Sequence, residues 1–254
     1  MGKSMRMLAP LAAASLAVVM SPTAAFADHA NGSYQTTLDP LNGSSGSGMA
    51  SITVEGDQAT IDLSWSGLPE TFMDAPYPHV QHIHIGAEGE CPPASADKNG
   101  DGIVDTVEGA PSYGEIGTTL SVSGDTSAAA GTNIKIAPGG SSVDYHRTIT
   151  LDEKTLDSLA GGTGVIVVHG LDPATLSKEA AEAKSNLVPE LPLAATSPAL
   201  CGALSSMPAG GVETGSGSTS GVENLGLFGV GGGLLAMAGI GLVGHRRRAN
   251  AEAS

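Results

Sequence analysis

The chain has 254 residues, of which 41% are hydrophobic and only 3% aromatic, and its formal net charge is −15 at pH 7. Between residues 28 and 244, 25 acidic residues oppose six basic ones, a net charge of −19. A surface this acidic repels phosphate groups, so nucleic acid is excluded as a partner and cations are favoured.

The N-terminal segment has the organisation of a secretory signal. Lys3 and Arg6 precede an apolar run over residues 7–20, and residues 25–27 (Ala-Phe-Ala) provide a small-x-small cleavage site. The sequence therefore predicts a signal peptide over residues 1–27 and export of a mature chain that starts at Asp28. Residues 28–204 then form one domain of ordinary size, large enough to bury a hydrophobic core.

The predicted domain is a succession of short strands. Hydrophobic and polar residues alternate as in half-buried β-strands, and turns rich in glycine and proline separate the segments. The predicted strands are 34–38, 49–54, 59–65, 79–84, 118–122, 133–136, 143–151, 164–169 and 200–204, with short helices within 153–159 and 175–185. Many short strands and little helix predict an all-β fold, an antiparallel sandwich or barrel with long loops.

Three histidines crowd into residues 79–84, which read His-Val-Gln-His-Ile-His. In a strand, successive side chains point to opposite faces, so His82 and His84 share one face and His79 takes the other. Two neutral imidazoles side by side can bind one metal ion if a third ligand comes from elsewhere. The pair alone fits an ordinary half-exposed strand equally well.

The chain contains two cysteines, Cys91 and Cys201. Behind a secretory signal, an even pair predicts a disulfide rather than two free thiols. The bond would close a loop of about 100 residues, which the chain-entropy model values at about 4.7 kcal/mol.

A polar loop over residues 97–108 matches the calcium-loop template at every key position. Gly102 permits the tight turn, and Pro92-Pro93 upstream precludes a full entering helix. We therefore expect a lone calcium loop inserted into a β-domain, in preference to an acidic turn that holds no ion. Its oxygen ligands would be Asp97, Asn99, Asp101, the Ile103 carbonyl, Asp105 and Glu108.

The C-terminal fifty residues have the organisation of a surface anchor. Residues 205–224 are rich in Gly, Ser and Thr and predict a flexible stalk. Residues 225–244 are uncharged and long enough for a transmembrane helix. Arginines at 246–248 follow this segment, so residues 245–254 are predicted to lie in the cytoplasm and the domain outside the cell. The whole arrangement resembles a Gram-positive surface protein. Residues 212–215 resemble a sortase signal without its Leu-Pro opening, so a retained anchor and a wall-linked form both remain open.

Residues 46–204 resemble the copper/zinc superoxide dismutase family through segments that occur in the same order. The histidine strand resembles the family's His-Gly-Phe-His-Val-His, residues 167–169 its Val-Val-His, and residues 200–202 its Ala-Cys-Gly strand. The resemblance implies a Greek-key β-fold and a disulfide between Cys91 and Cys201. It also implies copper on His82, His84 and His169, with His79 in a structural role.

The departures from that family concern zinc and the guidance of superoxide. No histidine lies between Cys91 and His146, so the bridging ligand is missing, and Tyr113 and Glu115 stand where the family has a zinc-binding histidine and aspartate. We therefore expect no zinc site. Pro198 occupies the position of the guiding arginine, for which Arg147 is a candidate substitute. His146 or water is the candidate fourth copper ligand.

Three functions follow from these motifs. The first is a cell-surface copper enzyme that dismutes superoxide. The second is a non-catalytic metal-binding or adhesive surface module on the same scaffold, and the third is a scaffold with remnant histidines. A weaker similarity to CHRD domains rests on a His-Ile-His-x-Gly strand and a later Val-His, but the cysteine pair favours the dismutase family. The partners implied are superoxide or metal ions, and the membrane through the C-terminal helix.

Overall fold

The structure, a computed structural model, describes residues 30–72 and 74–208. These residues belong to the first of two units of the chain, Met1–Gly210. The predicted signal peptide, transmembrane helix and cytoplasmic tail lie outside the described residues, as does the stalk beyond residue 208. Within the described ranges, no helix is both long and apolar enough to cross a bilayer.

Strands dominate this part of the chain, and the helices are short. The strands are β1 Gly32–Pro40, β2 Ser47–Glu55, β3 Gln58–Ser66, β4 Thr71–Phe72, β5 Ala75–Pro76, β6 Gln81–Ile85, β7 Glu115–Thr119, β8 Ser142–Thr150, β9 Val165–His169, β10 Pro198–Ala203 and β11 Ser205–Ser206. The α-helices are α1 Thr106–Tyr113, α2 Glu153–Ala160, α3 Lys178–Glu182 and α4 Leu193–Thr196.

Eight strands form one curled antiparallel sheet in the order β7-β6-β9-β10-β1-β2-β3-β8, and β11 adds to β1. Strand β1 joins the two halves of the sheet: Tyr34 pairs with Ile52 of β2, and Asp39 pairs with Cys201 of β10. The side chain of Arg147, on β8, donates to the Ser121 carbonyl just beyond β7 at 2.6 Å and so links the two ends. The architecture confirms the predicted all-β sandwich or barrel.

The two halves of the sheet are buried differently. On β2 and β3, alternate residues face the core and the others face solvent. On β6 and β9, every residue is buried. Ile83 and Ile166 belong to the main core, whereas Val165 and Val167 belong to a second cluster with Tyr113 and Cys201. The connecting loops therefore cover the outer face of β6 and β9, and this covered face is where the histidines lie.

The predicted disulfide is confirmed. Cys91 is bonded to Cys201, which lies 110 positions further along the chain, and their Cα atoms are 5.8 Å apart. The bond ties the loop after β6 to β10, and the half-buried Cys91 packs against the second cluster. It therefore fixes part of the cover over the outer face.

One predicted strand is a turn in the structure, and one helix was not predicted. Residues 133–136, predicted as a strand, contain a 3-10 turn over Ile134–Ile136, because the Asn133 side chain accepts from the Lys135 backbone N–H and favours a turn. Helix α1 was not predicted. Asp105 and Glu108 form a reciprocal capping box at its start, so two residues interpreted as calcium ligands also begin a helix.

Candidate metal centre

Three histidines meet on the covered outer face, and we call His82, His84 and His169 the histidine triad. His82 and His84 lie two positions apart on β6, so their side chains share one face of the sheet. His169 is the last residue of β9. Val167 pairs with His82, so His169 lies diagonally across from it. The ring centroids are 5.2 to 6.0 Å apart, and the three residues are only 1 to 3% exposed. The half-exposed strand considered from the sequence is therefore excluded.

Each triad ring has one nitrogen held by a backbone carbonyl. His82 Nε2 donates to the Gly131 carbonyl at 2.9 Å, His84 Nδ1 to Gly114 at 3.0 Å, and His169 Nδ1 to Thr196 at 2.7 Å. A carbonyl oxygen only accepts, so the hydrogen lies on these nitrogens and the tautomer of each ring is fixed. Metal-binding histidines are oriented by the same kind of remote hydrogen bond.

The second nitrogen of each ring is buried and has no hydrogen-bond partner. These atoms are His82 Nδ1, His84 Nε2 and His169 Nε2. An unpaired buried polar atom costs about 1–3 kcal/mol, so three of them together point to a ligand that they share. The donor set therefore fits a metal ion.

The spacing of the triad also suits a metal. One nitrogen from each histidine lies within 4.8 Å of the others, and the described residues contain no other such group of His, Cys, Asp or Glu. Metal–imidazole bonds measure about 2.0–2.1 Å, so shifts of less than about 1 Å would bring all three nitrogens onto one ion. Neutral imidazole suits zinc, copper, iron and nickel, and the geometry does not choose among them.

Burial keeps the triad neutral. Desolvation, and then the neighbouring His169, lower the pKa of His84 to about 3, and desolvation lowers the pKa of His169 to about 4. The pKa of His82 is held well below its ordinary value by desolvation and by both neighbouring rings. At pH 7 the three lone pairs are therefore available without the loss of a proton.

Helix α1 supports the triad from outside the sheet. The Tyr113 ring meets the His84 ring edge-on at 4.6 Å between centroids, and its hydroxyl donates to the Thr106 carbonyl. The Thr106 hydroxyl donates to the Thr196 carbonyl at 2.6 Å, the same oxygen that holds His169. One helix therefore contacts the surroundings of two triad members. The sequence did not predict these contacts, because every residue has a backbone carbonyl and the sequence does not indicate which one a side chain will meet.

Glycine is required at one of the carbonyl positions. Gly114 has φ +92°, and a Cβ there would lie 1.9 Å from the Ile85 carbonyl oxygen, so only glycine fits without movement of the backbone. At Gly131, a Cβ would lie 2.5 Å from the end of the Ile116 side chain and 3.3 Å from His82 Nε2, so a larger residue there would displace Ile116 and crowd the His82 ring.

The other histidines of the motifs lie away from the triad. His79 packs between the rings of Trp65 and Tyr77, and its nitrogens lie 2.8 and 2.9 Å from the His169 and Pro69 carbonyls. It has no place in the metal group.

His146, the candidate fourth ligand, is not brought to the triad. Its side chain is 68% exposed and pairs with Asp62 at 2.6 Å. The reason is strand alternation, because Tyr145 and Ile149 take the core face of β8 and His146 faces outward. Arg147, the candidate guide for superoxide, is instead bonded to Ser121 and Gly124.

The calcium-type loop is closed by its own hydrogen bonds. Asp97 accepts from the Gly100 and Gly102 N–H groups at 2.7 and 2.9 Å, and Glu108 accepts from the backbone of Lys98 at 2.8 Å. Asp105 caps α1 and accepts from the Asn186 side chain. The carboxylates of this loop are not drawn together as the triad nitrogens are.

Comparison with known proteins adds no family assignment. No protein-family model and no curated protein matches the chain. What the structure shows is a curled antiparallel sheet, a disulfide and a buried histidine triad with the properties of a metal site.

Proposed function

We propose that the domain binds copper through His82, His84 and His169. The observation that carries the proposal is the set of three unpartnered, buried nitrogens on rings whose other nitrogens are held by carbonyls. An all-imidazole donor set suits copper, and the resemblance to copper/zinc superoxide dismutases, in which the corresponding histidines bind copper, favours it over the other metals.

The residues around the triad would keep the site ready for the ion. The carbonyls of Gly131, Gly114 and Thr196 hold the rings in one tautomer, and the cover formed by the loops keeps water from the free nitrogens. Since the rings are neutral at pH 7, binding would release no protons from them. Copper, when bound, would supply one-electron redox chemistry.

Superoxide dismutation is the second candidate function, and it rests on the same family resemblance. The acidic charge, Pro198 at the position of the guiding arginine, and the engagement of Arg147 elsewhere all weigh against fast capture of an anion. A non-catalytic copper-binding or adhesive surface module is the alternative, and we place copper binding ahead of turnover.

Location and calcium binding are proposed from the sequence. We propose that the domain is exported and anchored at the cell surface by residues 225–244, with residues 245–254 in the cytoplasm. We also propose that residues 97–108 bind calcium, on the strength of their match to the calcium-loop template.

A metal titration of the purified protein tests the proposal. We expect one equivalent of copper to bind, with His169→Gln abolishing it and His146→Gln, which alters a histidine outside the triad, leaving it intact. Equal copper binding by His169→Gln would refute the site. A dismutation assay on the copper-loaded protein then separates an enzyme, in which turnover disappears with His169→Gln, from a binding module that shows stoichiometric copper and no turnover.

A further inference from the structure

A cavity of about 90 Å³ adjoins the triad. All three triad histidines line it, together with aliphatic side chains such as Ile116, Ile134, Leu187 and Val188. Pockets for drug-sized ligands measure about 300–1,000 Å³, so this cavity has room for a molecule of only a few heavy atoms.

The wall of the cavity offers little to an anion. No Asp, Glu, Lys or Arg occurs among the described residues that line it. The hydroxyls of Thr106, Tyr77 and Thr196 already donate to other groups of the protein, and the remaining hydroxyl, on Thr132, belongs to an exposed residue. In the metal-free protein, the free nitrogens of the triad carry lone pairs, which repel an anion. An anion that entered the buried part of the cavity would therefore lose its hydration without receiving hydrogen bonds from the side chains around it.

The mouth of the cavity is apolar as well. Ile134 and Leu187 line the cavity, yet they are 46% and 47% exposed. Exposed aliphatic groups beside a buried metal-type site favour entry of an apolar molecule, because neither electrostatic attraction nor hydrogen bonding is available there.

We propose that this cavity is a binding site for a small, neutral, apolar molecule of the class of dioxygen, nitric oxide and carbon monoxide, and that it disfavours anions. The inference extends the proposed copper site, because the cavity borders the nitrogens that would hold the metal. Occupation of the cavity by an apolar atom, however, requires no metal.

Xenon tests the cavity in the metal-free protein, since xenon enters dry apolar cavities. Under xenon pressure, we expect saturable NMR shifts at the methyl groups of Ile116 and Val188, and none at Val122, which does not line the cavity. Ile134→Lys, and independently Leu187→Lys, should abolish these shifts by placing a cation at the mouth. Val122→Lys, at a position 49% exposed, is the control and should leave them unchanged. Shifts that never saturate, or that spread evenly over all methyl groups, would overturn the inference.

Azide tests anion exclusion in the metal-free protein. We expect no saturable NMR shift at the methyl groups of Ile116 and Val188 as azide is added, and Ile134→Lys should raise azide affinity by about fivefold, the upper range for an exposed charge pair. Tight azide binding by the unaltered protein would overturn the inference while leaving the copper proposal intact. If the protein bound no copper, the copper proposal would fail, and the xenon experiment would still decide about the cavity.

Discussion

The histidine triad and the loop at residues 97–108 are both candidate metal sites, and they treat their donor atoms in opposite ways. In each triad ring, one nitrogen donates a hydrogen bond to a backbone carbonyl, and the other is buried without a partner. In the loop, the oxygens of Asp97, Asp101 and Glu108 accept backbone N–H groups. These loop oxygens therefore have hydrogen-bond partners within the protein, whereas the triad carries an electrostatic cost that a metal would remove.

The loop is an example of a metal-binding sequence motif, and the triad is an example of a site that the fold has already assembled. The loop matches its template at every key position, yet its carboxylates are not gathered into one group. The triad depends on two histidines from one strand and a third that lies 85 positions further along the chain, yet the fold brings them together. We expect metal to change the two regions to different extents.

Removal of a triad ligand should have the largest effect. We expect His84→Gln to weaken copper binding by more than about 100-fold, since even the loss of an outer hydrogen-bond partner costs 10–100-fold. Asp101→Asn in the loop should leave copper affinity unchanged. Isothermal titration with copper checks both variants, and a parallel loss in Asp101→Asn would show that the two regions are one system.

Acid should destabilise the metal-free protein through the triad. The unfolded chain takes up protons near pH 6.5, whereas burial keeps the pKa of His84 at about 3 and that of His169 at about 4 in the fold. Between these values the unfolded state binds more protons, so the stability present above pH 6.5 is lost as pH falls. Each such histidine contributes about 2 kcal/mol of loss between pH 7 and pH 5.

Urea unfolding at the two pH values measures this effect. His169→Gln should reduce the difference by about 2 kcal/mol, the share of one histidine. An unchanged difference in this variant would mean that the acid sensitivity arises outside the triad.

A change in the support of one ring should have an intermediate effect. Gly131→Ala places a methyl group 2.5 Å from the end of the Ile116 side chain and 3.3 Å from His82 Nε2, so Ile116 must turn aside and the hydrogen bond that holds this ring is crowded. We expect about tenfold weaker copper binding, at the low end for loss of an outer partner. Gly161→Ala, at the end of α2 with a helical φ of −78°, is the control and should retain full affinity.

Calcium should have the smallest effect. At about ten times its dissociation constant, an ion adds about 1.4 kcal/mol to stability, or about 4 °C in Tm for a domain of this size. We expect this rise in the unaltered protein and its absence in Asp101→Asn. No rise at millimolar calcium would mean that residues 97–108 are an acidic turn without an ion.

Patterns along the sequence predicted most of the fold, and the family resemblance joined His169 to His82 and His84, but neither predicted the surroundings of the triad. Alternation located most of the strands, and secretory context with the family resemblance indicated the cysteine pair. Whether His146 reaches the triad stayed open, because only the register of Tyr145 and Ile149 decides which face of β8 it occupies. The carbonyls of Gly114, Gly131 and Thr196 belong to turns over β6 and β9, and contacts between distant turns and strands have no local signal.

The disulfide has a consequence for how tightly the site is enclosed. Cys91 and Cys201 belong to a loop and a strand that help enclose the outer face of β6 and β9. A chain that has formed its sheet but not yet this bond lacks the covalent closure of the cover, so its triad is not yet fully sheltered. Oxidation of the cysteines therefore completes the enclosure of the triad, and reduction would loosen the cover without removing any of the three histidines.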